Sequence, residues 1–190
     1  MRTTLEAGQQ LPRQSTGVTC GAASLVVAER LLEGMPLPAP DDTVEAEDFR
    51  GAELTRFGRT NNPWEARALR APWPMALGTP PWGALAELRG VVRRERGGCP
   101  RYVLRQVWRG GAEALAGALE GIAADLPALL YVGQRTMPRH VCVVAADSSG
   151  RWVLYDPAAG TVVPADVDAL AAGEQRVAGW RQPWLVIAPR

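Results

Sequence analysis

From Pro127 onward the chain is cut into short apolar runs that are too brief for helices: Ala128–Val132, His140–Ala146, Arg151–Asp156, Thr161–Val163 and Trp184–Ala188. Valine, leucine, tyrosine and tryptophan fill them, and Asp147–Gly150 and Pro157–Gly160 stand between them as turn signals. Runs joined by turns this tight pair antiparallel, so the second half reads as a meandering sheet. The first half has a different period. Between Cys20 and Glu33 the apolar residues Ala23, Leu25, Val26, Leu31 and Leu32 recur at helical spacing, and Gly34 and Pro36 end the run. Thr19 is the expected N-cap, which puts Cys20 in the first helical turn.

Further helices are expected over 43–58, ending near Gly58, over Pro81–Arg96 with proline in the first turn, over Ala112–Leu126, and over Asp166–Ala172. Arg101–Trp108 alternates as a strand does. The proline-dense stretch 59–82 excludes a long helix; Trp64, Trp73 and Trp82 are expected to pin it against the body as a loop. Helices first and antiparallel strands afterwards give an α+β fold. The length of 190 residues suits a single domain, 1–190.

Composition removes several function classes. The net charge is +1, which gives no global attraction to nucleic acid or an anionic membrane. All 21 basic residues are arginine, so lysine Schiff-base chemistry and a Gly-Lys-Ser/Thr phosphate loop are excluded. Cys20, Cys99 and Cys142 are an odd set with no Cys-x-x-Cys, and the chain has one histidine. That pattern predicts reduced thiols, no structural zinc and no cofactor. No apolar stretch is long enough to span a membrane, and Met1–Leu11 lacks a secretory core. The expected location is therefore cytoplasmic, or exported without a classical signal peptide.

The single histidine, His140, opens one of the strand-like runs, and Asp156 closes the next. A hairpin over 140–156 sets the two near one sheet end, where the carboxylate can fix the imidazole's tautomer and orientation. Cys20, at a helix N-terminus, has partial positive charge and free N–H groups to favour its thiolate. Gln14, six residues earlier, can offer a side-chain amide to a developing oxyanion together with the Cys20 N–H. Cysteine, histidine, aspartate and an amide donor are the parts of a nucleophilic acyl-transfer site. Cys142 reads as core.

These residues as a set resemble the papain-like cysteine peptidases, most closely the C39-type and C39-like bacterial branch. The matching elements are Gln14…Cys20-Gly21, then His140-Val141-Cys142-Val143-Val144, then Asp156-Pro157-Ala158-Ala159-Gly160, with Pro127–Leu130 similar to that branch's buried strand. The likeness covers residues 9–34 and 127–188 well and 35–126 poorly. It implies a papain-like fold with the cysteine helix packed on the sheet. It also implies a thiolate–imidazolium pair, an acyl-enzyme intermediate and hydrolysis of a peptide or amide bond in a peptide or protein substrate.

Acyl transfer, transglutamination or deamidation on the same residues, in an effector or toxin for example, is the alternative chemistry. A non-catalytic papain-like binding module is the alternative without chemistry. A rival nucleophile, Cys99 in Arg96-Gly97-Gly98-Cys99, is similar to the arylamine N-acetyltransferase pattern, although Pro100 follows it where that family needs a helix. The arginines between Arg89 and Arg109 are read as a solvated face pairing with the acidic 41–53 stretch.

Overall fold

The computed structural model describes residues 3–62 and 73–190. Its centre is α1 (Cys20–Glu33), in which twelve residues, from Cys20 to Leu32, are buried. A helix apolar on nearly every side belongs inside a protein rather than on its surface. It ends at Gly34, whose φ of 69° takes the left-handed cap, with the cap amides returning to Arg30 O and Leu31 O. Around it pack α2 (Thr43–Asn61) and α3 (Pro81–Arg96).

The six strands are β1 (Tyr102–Gln106), β2 (Ala128–Gly133), β3 (Pro138–Ala146), β4 (Trp152–Asp156), β5 (Thr161–Pro164) and β6 (Gln182–Pro189). They form one sheet in the order β1-β6-β2-β3-β4-β5, and every pairing is antiparallel. Two further helices, α4 (Gly111–Leu119) and α5 (Val167–Ala172), complete the element order. The class is therefore α+β, as its residues indicated. The layering goes further than helices on one side. Leu129, Tyr131, Val141, Val143 and Ile187 pack with α1, α2 and α3, whereas Leu130, Cys142, Val144, Leu154 and Val186 pack with Leu115 and Leu119 of α4 and Leu170 of α5. Both faces of the central strands are thus buried, which is why β2 and β3 are almost continuously apolar.

Several expectations are corrected. The helix expected to stop near Gly58 continues to Asn61, because Asp42 caps its start through Val44 N and Glu45 N and nothing at Gly58 breaks the ladder. The helix expected over Ala112–Leu126 ends at Leu119. Glu120 is extended and Gly121 has φ of 88°, so the chain turns out of the helix there and closes a small Ala123–Leu126 bridge. Thr19 precedes α1 but does not cap it: its hydroxyl donates to Thr16 O and accepts from Thr16 N. In the tryptophan-rich stretch, Trp73 and Trp82 meet edge to face with centroids 5.3 Å apart. Trp64 lies outside the described residues. Arg94 and Arg96 pair with Glu33 and Asp125, not with the acidic 41–53 stretch, where Glu45 and Glu53 instead accept from the backbone amides of Ala39 and Ser15. Among the described residues, no helix is long and apolar enough to cross a membrane.

Candidate active site

The polar lead-in before α1 is an added edge along β5. Gly8 N donates to Val162 O, Val162 N to Gln9 O, Leu11 N to Gly160 O and Gln14 N to Pro157 O. Two buried side chains fasten the same segment: the Tyr155 hydroxyl donates to Pro12 O at 2.6 Å, and the Glu53 carboxylate accepts from Ser15 N at 2.9 Å. The chain then turns into α1, and this path delivers Cys20 to the sheet end where β3 starts and β4 stops.

Strand register does the rest. Val144 faces Leu154 and Val143 faces Tyr155 across β3 and β4. Continuing that pairing sets Asp156 opposite Cys142, with His140 two residues along on the same face, a diagonal pair within reach of long side chains. The imidazole Nε2 donates to Asp156 Oδ1 at 2.8 Å. Asp156 is held in turn by two backbone amides, Ala158 N on Oδ1 at 2.9 Å and Ala178 N on Oδ2 at 3.0 Å. The other imidazole nitrogen, Nδ1, is left free of Asp156, and Cys20 lies close enough to His140 to raise its pKa. Cys20 packs with Tyr131 and Val141 on the α1 side of the sheet. Thiol and imidazole therefore meet around the sheet's end rather than over its middle.

The electrostatics follow from this line of groups. Burial works against a charged imidazole, but its hydrogen bond to Asp156 and its closeness to Cys20 outweigh it, and the His140 pKa is pushed up to about 9. Burial also opposes the Asp156 carboxylate. His140 and the amides of Ala158 and Ala178 overcome that and hold the Asp156 pKa below its ordinary value. The arrangement is an imidazole beside a carboxylate on one side and Cys20, the first residue of a buried helix, on the other.

Several residues without an assigned role shape the site. Ser24, one turn after Cys20 and fully buried, donates to Val141 O at 3.0 Å, which locks α1 to β3 immediately beside His140. Ala178 supplies the second amide to Asp156 from the four-residue turn bridged by Val177 and Trp180. A strap before α3 covers the thiol: a Cβ on Gly78 would lie 3.9 Å from Cys20 Sγ and 2.8 Å from Val18 O. Next to it the Thr79 side chain packs on Gly21, where an added Cβ would come within 2.5 Å. Such contacts join segments some 60 residues apart in sequence; only the fact that both are glycines hinted at close approach. Cys20 is only 3% exposed beneath this strap.

The structure brings Cys20, His140 and Asp156 together. Gln14 reaches the same end through its backbone bond to Pro157 O, but its amide Nε2 donates to Thr16 O at 2.6 Å and its Oε1 is buried without a partner. One amide hydrogen is thus committed within the lead-in, and one remains. Cys142 is fully buried core, its thiol donating to Leu130 O. Cys99 is exposed and follows α3 at the start of β1, where Tyr102 pairs with Pro189 at the far end of β6. His140 is three strands across and at the other end of the sheet, roughly 14 Å sideways and roughly 20 Å along the strands at ordinary spacings. The rival pairing of Cys99 with His140 is excluded by that topology. No protein-family model matches the chain, and no curated protein matches it either.

Proposed function

We propose that the chain is a papain-like cysteine peptidase or amide hydrolase, with Cys20 as nucleophile, His140 as general acid and base, and Asp156 as the residue that orients His140. The observation that carries this reading is the 2.8 Å hydrogen bond between His140 Nε2 and Asp156 Oδ1 beside Cys20, the first residue of a buried helix. A free cysteine is usually inert core. One beside an imidazole that is itself bonded to a carboxylate held by two amides has the parts of an activated nucleophile.

In the proposed reaction the Cys20 thiolate attacks the substrate carbonyl carbon. The oxyanion is met by the Cys20 N–H, free because it is the first residue of α1, and by the remaining amide hydrogen of Gln14. As the C–N bond breaks, the His140 imidazolium gives its proton to the leaving amine and becomes neutral. A water molecule then gives a proton to His140 as its oxygen attacks the thioester, and the carboxylic acid departs with the thiolate restored. With an amine in place of water, the same steps transfer the acyl group. The Gly78–Thr79 strap leaves little room over the thiol, which favours an extended peptide segment entering beside it over a folded surface.

The test is a mass-spectrometric search for new peptide termini after incubation with a complex peptide mixture, together with trapping by a peptide acyloxymethyl ketone. The reading requires termini and a Cys20 adduct that vanish in Cys20→Ala and His140→Ala. Neither termini nor adduct in the wild-type protein would leave a papain-like scaffold used for binding.

A further inference from the structure

The arginines from Arg89 to Arg109 do not form one solvated face. Arg94 turns to Glu33, Arg96 to Leu32 O and Asp125, Arg105 donates to Gly117 O, and Arg109 lies over the Trp108 ring at 4.2 Å. Arg93 and Arg101 are left. Both are exposed, and among the described residues neither has an ion pair or a side-chain hydrogen bond.

These two line a single recess of about 250 Å³ together with Arg89, over a floor that includes Val92, Pro100 and Tyr102. Arg89 and Arg93 are four residues apart on one side of α3, and Arg101 approaches from the start of β1. The Arg89 Nε donates to Tyr102 O at 2.8 Å, which fixes its guanidinium at the recess wall. Among the described residues, no aspartate or glutamate lines the recess. The Arg93 and Arg101 charges at one concavity repel one another, and an anion between them reverses the sign of that interaction.

We propose that this recess is a binding site for a small, multiply charged oxyanion, namely the phosphoryl or diphosphoryl group of a ligand. Guanidinium groups converging from a helix and a strand suit the several oxygens of a phosphoryl group, whereas a single carboxylate occupies one arginine fork. The volume lies below the roughly 300–1,000 Å³ of pockets that enclose whole drug-sized ligands, so the recess takes the charged group and leaves the rest of the ligand outside. It sits at the opposite sheet end from Cys20, so occupancy does not require the thiol.

Calorimetric titration of the whole chain with pyrophosphate at low salt tests this. The expected result is saturable one-site binding, with succinate clearly weaker. Arg93→Gln/Arg101→Gln should lose about tenfold or more in affinity, equivalent to about 1.4 kcal/mol. The control Arg135→Gln/Arg176→Gln, which removes the same charge at other exposed positions, should stay close to wild type. Arg93 and Arg101 have no side-chain partners among the described residues, so the melting temperature should not move and folding does not confuse the reading. No saturable heat, equal loss in both double variants, or succinate binding as tightly as pyrophosphate would overturn the proposal.

Discussion

Asp156→Asn is the perturbation whose consequences the structure defines most closely. Three donors converge on the Asp156 carboxylate: His140 Nε2 and Ala158 N on Oδ1, and Ala178 N on Oδ2. An asparagine has one acceptor oxygen, so it can keep the first two donors or the third, but not all three. Kept toward His140, its amide nitrogen faces the Ala178 N–H, and leaving that donor unmet costs about 1–3 kcal/mol. The charge is lost in either orientation. The His140 pKa is raised from 6.5 to about 9 against burial, with the Asp156 hydrogen bond the largest favourable cause. Removing an opposite charge at this range moves a pKa by roughly one to three pH units, so the His140 midpoint should fall toward neutrality. Because the chain has one histidine, the imidazole Hε1 signal in a proton–carbon NMR titration reports it alone. The wild-type protein should stay imidazolium until about pH 9, and the variant should titrate at lower pH and unfold at lower urea. An unchanged midpoint would refute the assignment of Asp156 as the partner that holds the proton on His140.

Three other substitutions probe how the site is held. Ser24→Ala removes the bond to Val141 O; it should cost about 1–3 kcal/mol in urea unfolding and slow alkylation of Cys20 without abolishing the fold. Gly21→Ala should cost about 1–3 kcal/mol despite its better helix propensity, because the new methyl overlaps Thr79, and adding Thr79→Gly should recover most of the loss. Glu53→Leu leaves Ser15 N without its buried acceptor; hydrogen exchange at the Ser15 and Gln14 amides should accelerate while the β2 amides stay protected.

What could be read from the residues follows from the range of the interactions involved. β2 to β5 declared themselves because valine-rich runs and the Asp147–Gly150 turn are local signals, and that hairpin alone brings His140 and Asp156 to one end. The buried helix after Cys20 is equally local. The end of α4 is not encoded in the apolar pattern, because alanine and leucine continue past it, whereas a single left-handed glycine, Gly121, redirects the chain. The position of β1 at the sheet edge beside β6 comes from pairing with residues far along the chain, Tyr102 with Pro189 and Gln106 with Leu185, and no local pattern encodes it. The same holds within the site. The order of Cys20, His140 and Asp156 was legible, but the Gln14 amide turning to Thr16 O is a rotamer choice, and the Thr79 contact on Gly21 is a tertiary approach. The Ala178 amide has no side-chain signature at all.

The most direct test of the proposed thiolate–imidazolium pair is iodoacetamide labelling of the folded protein across pH, with mass spectrometry reporting Cys20, Cys99 and Cys142 separately. The proposed site requires Cys20 to label below neutral pH despite its burial, and to slow in His140→Ala. Exposed Cys99 should label at a rate that His140→Ala leaves unchanged, and Cys142 only on unfolding. If Cys20 stays inert until the protein unfolds, or reacts equally in His140→Ala, the pair does not operate and the catalytic reading fails.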